Sequence, residues 1–302
     1  MQDIVIYLNG ERGLATLERI VAEGHAFARA IVPANLEGSD IAERAAAAGA
    51  PVEAVADVND PEFVGALSAL KPQLGLIAGY STIFKAPLIE TPARGTINLH
   101  AGRLPQYRGG SPLNWQIING EKTAGISVTR IDEGIDTGPV LARAEFPIEA
   151  TDTIADLHGK ANRLFPELVL GVLRSMDGGT LTETPQDEAE AHYWRQRKPA
   201  DGRIDWRRMT ARQVYDLVRA VTRPYPGAFT EWDGKQVRVF GTELTENGFA
   251  GQPGRVSRSD GGPAVACSEG AVLFTDFDID GDAGAELPPG VQLDARLGED
   301  GP

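Results

Sequence analysis

A single cysteine, Cys267, stands among 302 residues, so the chain can close no internal disulfide and can build no cysteine cluster around a metal. No metal site is expected. A chain without disulfides suits a reducing compartment. No apolar stretch approaches the ~20 residues that a membrane span requires, and the opening Met1-Gln2-Asp3-Ile4-Val5-Ile6 lacks the basic region and cleavage site of a secretory signal. Cytoplasmic residence, without membrane association, is the expectation. Positive charge is also in short supply. With 29 Lys and Arg against 43 Asp and Glu the net charge is −14, which repels polyanions and opposes the counterion release that drives nucleic-acid binding. The same charge serves solubility, yet it argues against a nucleic-acid partner.

What is present is ordinary globular composition, 42% apolar and 24% charged. The chain is longer than the about 100–200 residues of one domain, so two are expected. The apolar runs Ile4 to Leu8, Ala26 to Val32 and Leu74 to Ala78 alternate with the helix-like segments Leu14 to Glu23, Ile41 to Ala48 and Pro61 to Leu70. That alternation predicts an α/β fold with a mostly parallel sheet covered on both faces. After Gly95 come a strand from Thr96 to Leu99, a glycine-bearing loop, a helix near Leu113 to Ile118, and strands over Ile126 to Ile131 and Val140 to Phe146. A long helix over Thr151 to Met176, capped at Thr151-Asp152-Thr153 and striped with Leu157, Leu164, Leu168 and Leu173, closes the first domain. Residues 177–202 have the composition of a connector. A helix from Ala211 to Val221 then precedes short β-rich runs between Ala228 and Phe274, which predict a small barrel or sandwich. An acidic, Pro/Gly-rich tail follows Asp276. The expected boundaries are residues 1–190 for the first domain, 191–203 for a linker and 204–302 for a small β-rich second domain.

Two segments carry groups suited to chemistry. In Thr96-Ile97-Asn98-Leu99-His100 the alternation of a strand puts Asn98 and His100 on one face, at the carboxyl end where parallel-sheet proteins gather ligands. Alone, such a pair fits a structural hydrogen-bonding histidine as well as a site. The glycine turn Asp132-Glu133-Gly134-Ile135-Asp136-Thr137-Gly138 offers carboxylates between two strands, and by itself fits an acidic hairpin equally well.

The run from Gly79 to Phe146 resembles the folate-dependent formyltransferase family, through Asn98-Leu99-His100, Leu104-Pro105-Gln106-Tyr107-Arg108-Gly109, Pro112-Leu113-Asn114-Trp115, Asn119-Gly120-Glu121 and Gly134-Ile135-Asp136-Thr137-Gly138. The likeness continues through Arg219 to Phe229, which resembles the opening of the family's small carboxyl-terminal domain. The resemblance implies a Rossmann-like formyltransferase domain followed by a barrel-like domain, in a homodimer. It implies that Asn98, His100 and Asp136 are catalytic and that 10-formyl-tetrahydrofolate is the co-substrate. Such roles make chemical sense. An imidazole accepts a proton near neutral pH, an amide donor stabilises charge on the formyl oxygen by roughly 3 kcal/mol, and a carboxylate stabilises the imidazolium. The folate is expected along Tyr80, Ser81, Thr82, Ile83 and Phe84 and against Ile131, Asp132, Gly134 and Ile135, where single apolar side chains serve equally as core.

Acceptors within the family include initiator methionyl-tRNA, glycinamide ribonucleotide and amino sugars carried on nucleotides. The tRNA-directed members carry a basic insertion after the second strand, whereas Pro33 to Asp40 here holds no Lys or Arg. The segments Gly79 to Phe84 and Asn98 to Pro105 most resemble the family's sugar-modifying branch, and together with the net charge this resemblance implies a nucleotide-linked amino sugar as acceptor and no nucleic-acid partner. Methionyl-tRNA formylation and a folate-binding formyl hydrolase stand as the alternatives. Candidate acceptor contacts are Asn9 and Gly10 at a helix start, Arg103 beside the catalytic strand, and Tyr107 and Arg108 in the matched loop.

Overall fold

Short apolar runs that end in turns have no length to bury themselves as helices, and here they become strands. In a computed structural model, which describes residues 3–245 and 251–293, β1 (Ile4–Leu8) is buried at all five positions. Gly10, at φ +83°, turns the chain into α1 (Glu11–Ala22), and Gly13 lets that helix close on the strand, since a Cβ there would stand 2.3 Å from the Leu8 Cβ. The alternation continues through β2 (Phe27–Pro33), α2 (Asp40–Ala47), β3 (Val52–Val55), α3 (Pro61–Ala69), β4 (Leu74–Ala78), α4 (Ala86–Ile89) and β5 (Thr96–His100). Ser39 caps α2 and Asp60 caps α3, the latter accepting from the Glu62 and Phe63 amides. After β6 (Arg108–Gly109) and α5 (Pro112–Ile118), β7 (Thr123–Arg130) runs antiparallel to β5, and β8 (Val140–Pro147) forms the edge. The sheet order is β3-β2-β1-β4-β5-β7-β8. It is the mostly parallel α/β sheet expected, with β1 and β4 at its centre.

The described residues form two units. One comprises Met1–Pro112, Thr123–Phe146 and His158–Trp194; the other comprises Leu113–Lys122, Pro147–Leu157 and Arg195–Pro302. In the first, Tyr7, Phe84 and Tyr80 meet edge to face over a cluster that includes Ile31, Val58 and Leu88. In the second, α7 (Ala211–Val221) accompanies a five-stranded antiparallel sheet ordered β10-β11-β14-β13-β12, from Ala228–Trp232, Lys235–Leu244, Ala271–Ile279, Gly262–Ala266 and Val256–Ser259 respectively. Fully buried Trp206 donates its indole N–H to Thr230 Oγ1 at 3.0 Å.

Several expectations are corrected. The long helix α6 (Ile154–Asp177) buries Leu157, Ala161, Phe165, Val169 and Leu173, a stripe at near i+4 spacing, whereas Leu164 and Leu168 are only half-buried. The four-residue strand β3, whose apolar run is broken by Glu53 and whose residues are all only partly buried, is an addition to the expected strands. β14 continues past Asp276 to Ile279, and Leu293 in the acidic tail is fully buried; residues 294–302 of that tail lie outside the described residues. The connector contributes a strand, β9 (Tyr193–Trp194), which pairs in parallel with β6. Among the described residues no helix is long and apolar enough to cross a membrane.

Candidate active site

β5 carries Asn98 opposite Thr129 and His100 opposite Ser127, so the four side chains share one sheet face. Ser127 braces the loop that follows, its hydroxyl donating to the Gly102 carbonyl at 2.9 Å and accepting from the Leu104 amide. Asn98 is half-buried, and its amide makes no hydrogen bond within the described residues. The neighbouring Thr129 hydroxyl is buried and also lacks a partner there.

His100 is 6% exposed and its ring is held on both sides. Nε2 lies 2.6 Å from the Tyr107 carbonyl oxygen. A carbonyl can only accept, so Nε2 carries a hydrogen. Gly102 makes room for this contact, because a Cβ there would stand 2.5 Å from Nε2 and 2.4 Å from the Tyr107 oxygen. Nδ1 faces Asp136 Oδ1 at 3.4 Å. The neutral ring therefore presents its lone pair on the side of the carboxylate, where a proton gained on Nδ1 would meet an anion.

Asp136 reaches His100 because its backbone sits at φ +54°, a left-handed conformation that aspartate tolerates better than most residues. Its Oδ2 accepts the Gly109 amide at 2.8 Å. The preceding turn is fixed by Asp132 Oδ1, which accepts the Gly134 amide at 3.1 Å and the Thr137 hydroxyl at 2.5 Å. The three residues named from the resemblance thus converge at the ends of β5 and β7.

The expected folate segments flank this group. Ile83 is 73% exposed and Ile135 is 55% exposed, and Ser81 and Thr82 are also exposed. Asn59 fixes the first loop from both sides, donating to the Ile83 carbonyl at 3.0 Å and accepting from the Lys85 amide at 2.8 Å. Phe84 is buried in the core beside Tyr7, so it does not line an open surface; Tyr80 is half-buried and Ile131 packs against the same core.

The candidate acceptor contacts divide. Asn9 is exposed, and α1 opens without a side-chain cap. Arg103 lies over the Tyr107 ring at 5.9 Å. Tyr107 is 3% exposed and stacks on Trp194, while its carbonyl serves His100. Arg108 is fully buried and its guanidinium is spent on Glu188, Gln186 and Tyr193. These two side chains face inward rather than toward an acceptor, which corrects the expectation. The residues that hold Arg108 were missed, because a polar Thr-Pro-Gln-Asp-Glu stretch has no period to mark it.

Residues 15–173 match the formyl transferase domain, and residues 197–284 match the formyl transferase carboxyl-terminal domain. The chain belongs to the formyl transferase family. The donor expected from the sequence, 10-formyl-tetrahydrofolate, fits that membership. Methionyl-tRNA formyltransferase of Geobacter metallireducens is 34% identical over 81% of this chain and 81% of its own. Proteins of the same name from Thermodesulfovibrio yellowstonii and Caldanaerobacter subterraneus are each 35% identical, over 78% and 74% of this chain and 75% and 72% of theirs. Among solved structures, HypX from Aquifex aeolicus superposes with a TM-score of 0.65 at 24% identity, over 92% of this chain and 45% of HypX. The N-formyltransferase of Helicobacter canadensis, solved with folinic acid and dTDP-3-aminofucose, superposes with a TM-score of 0.69 at 18% identity, over 91% of this chain and 99% of that one. At these identities the likeness is one of fold.

The relatives correct the expected acceptor. Three proteins at 34–35% identity are named for methionyl-tRNA, not for a nucleotide-linked amino sugar. That expectation leaned on the missing basic insertion at residues 33–40, on the sugar-branch likeness of the loop after His100 and on the net charge, and net charge averages over the chain whereas a polyanion senses local potential. Residues 195–223 hold nine Lys and Arg against three Asp and Glu, and Arg195, Lys198, Arg207, Arg208 and Arg223 are exposed.

Proposed function

We propose that this protein transfers the formyl group of 10-formyl-tetrahydrofolate to the amine of methionyl-tRNA. The chemistry rests on one observation, the His100 ring pinned by the Tyr107 carbonyl with its Nδ1 turned to Asp136. The neutral amine attacks the formyl carbon, and charge builds on the formyl oxygen, where the Asn98 amide donates. His100 Nδ1 takes the proton shed by the amine, and the resulting imidazolium is held between Tyr107 and Asp136. The tetrahedral adduct then collapses, the bond from carbon to the folate nitrogen breaks, and His100 returns the proton to that nitrogen. No covalent enzyme intermediate is needed. Folate lies along residues 80–84 and 131–135, with Ile83 and Ile135 over the pterin.

The acceptor assignment is supported by the names of the relatives and by the basic character of residues 195–223. Its test is formylation of methionyl-tRNA at saturating 10-formyl-tetrahydrofolate across a salt series. The expected result is an N-formyl product and a tRNA KM that rises at least ~10-fold between 50 and 200 mM salt, as displacement from several phosphates requires. Absence of the product refutes the acceptor.

A further inference from the structure

Residues 183–194 form a strap across the loop that follows His100 and the turn that carries Asp136. Thr184 exchanges backbone hydrogen bonds with Val140, the His192 carbonyl accepts the Arg108 amide, and the Trp194 carbonyl accepts the Gly110 amide. One side chain of the strap reaches the site. Gln186 Nε2 donates to the Asp136 carbonyl at 2.8 Å and to the Gly138 carbonyl at 2.7 Å. Its Oε1 accepts from Arg108 Nε at 3.0 Å. The orientation of the amide is unambiguous, because carbonyls cannot donate and a guanidinium cannot accept.

We propose that Gln186 is a positioning residue for formyl transfer, and that Arg108, on β6, holds it in place. Asp136 needs an external hold. Its left-handed backbone costs free energy and persists only where surrounding contacts over-determine it. Gln186 ties two carbonyls of that turn to a single nitrogen, which fixes the direction of the Asp136 side chain toward His100 and the Gly109 amide. Arg108, fully buried, must find partners for a desolvated charge. It takes both Glu188 oxygens, at 2.6 and 2.9 Å, and the Tyr193 hydroxyl at 2.8 Å. The strap therefore reaches His100 through Arg108, Gln186 and Asp136 in turn, without touching substrate.

The inference rests on His100 and Asp136 being the catalytic pair, and its test keeps the two claims apart. Gln186→Ala and Gln186→Glu are assayed in the full chain with methionyl-tRNA and 10-formyl-tetrahydrofolate, and amide hydrogen exchange is followed by NMR without substrate. Glutamate retains a partner for Arg108 but sets oxygen against two carbonyls, so it should fail as alanine does. Both variants should lose ~10–10²-fold in kcat, the scale of an ångström of misplacement, with folate KM within ~3-fold. The Gly109 amide should exchange at least ~10-fold faster while Leu76 and Ile77 in β4 stay protected. Should neither variant fold, Glu188→Ala, which removes the exposed partner of Arg108, is expected to give the same pattern more weakly, and Glu190→Gln, whose side chain bonds Gln106, to give none. Unchanged kcat, unchanged Gly109 exchange, or exchange that rises equally in β4 overturns the proposal. If the wild type does not formylate methionyl-tRNA, the acceptor reading falls and Gly109 exchange still decides whether Gln186 holds Asp136.

Discussion

Replacing Asp136 by asparagine changes one atom and reverses what His100 meets. In Asp136→Asn the side-chain carbonyl oxygen would keep the Gly109 amide, which leaves the new NH₂ group facing Nδ1, where it donates into the lone pair that must accept a proton. Opposite unit charges 3.4 Å apart attract by about 5 kcal/mol at an effective dielectric of ~20. Asp136 is 12% exposed, and screening by water leaves about 3 kcal/mol of that for the imidazolium. The imidazolium forms only as the reaction proceeds, so the loss falls on kcat, by ~10²-fold or more. Folate and tRNA KM should stay within ~3-fold, because neither substrate loses a ground-state contact. Steady-state formylation with each substrate varied in turn reads both quantities. A large rise in folate KM at unchanged kcat would make Asp136 a folate contact and would refute the charge argument.

His100→Asn removes the base while keeping a polar side chain, and should lower turnover by ~10²–10⁴-fold with the thermal midpoint of unfolding nearly unchanged; a folded variant with near-wild-type turnover contradicts the role. His158, on α6, is pushed down to about 4 from 6.5 by burial and by the Arg12 guanidinium. Between those values the unfolded chain binds the proton and the native chain does not, so stability is lost as pH falls through this window, by at most about 3 kcal/mol. Urea unfolding of the wild type and of His158→Gln at pH 7 and pH 4.5 should show a steeper loss in the wild type, and equal slopes would remove His158 from the account.

Much of this architecture is written plainly in the chain. β4 and α7 begin and end where the apolar pattern puts them, and β1 follows the run that stops at Asn9 and Gly10. The two strands are legible because burial on both faces demands unbroken apolar residues, and α7 because its apolar residues recur at helical spacing. β3 was hidden because all four of its residues are only partly buried at the sheet edge. Asn98, His100 and Asp136 were named from their motifs, and alternation along β5 explains why two of them share a face. Their mutual distance depends on the left-handed backbone of Asp136, which no pattern of residue types announces. Gln186, Glu188 and Tyr193 were illegible for a related reason. Their contacts to Arg108 span about 80 positions, and a short polar stretch reads as solvated when its partner is that far away. Charge misled in the same way, since −14 for the whole chain conceals a basic run at 195–223.

The pairing of β6 with β9 joins Arg108 to Tyr193 and Gly109 to Trp194, and Gly109 approaches so closely that a Cβ would stand 2.2 Å from the Trp194 oxygen. During synthesis this contact sets an order of assembly. A nascent chain that has emerged as far as Pro147 already holds every strand of the seven-stranded sheet, with both His100 and Asp136. It holds neither Gln186 nor Trp194. The long-range closure is the slow kind, because its entropic cost comes before any contact repays it. The ribosome therefore releases the sheet first and the strap only after residue 194, so a chain that stalls between α6 and the strap carries His100 and Asp136 without the contacts of Gln186 and Trp194.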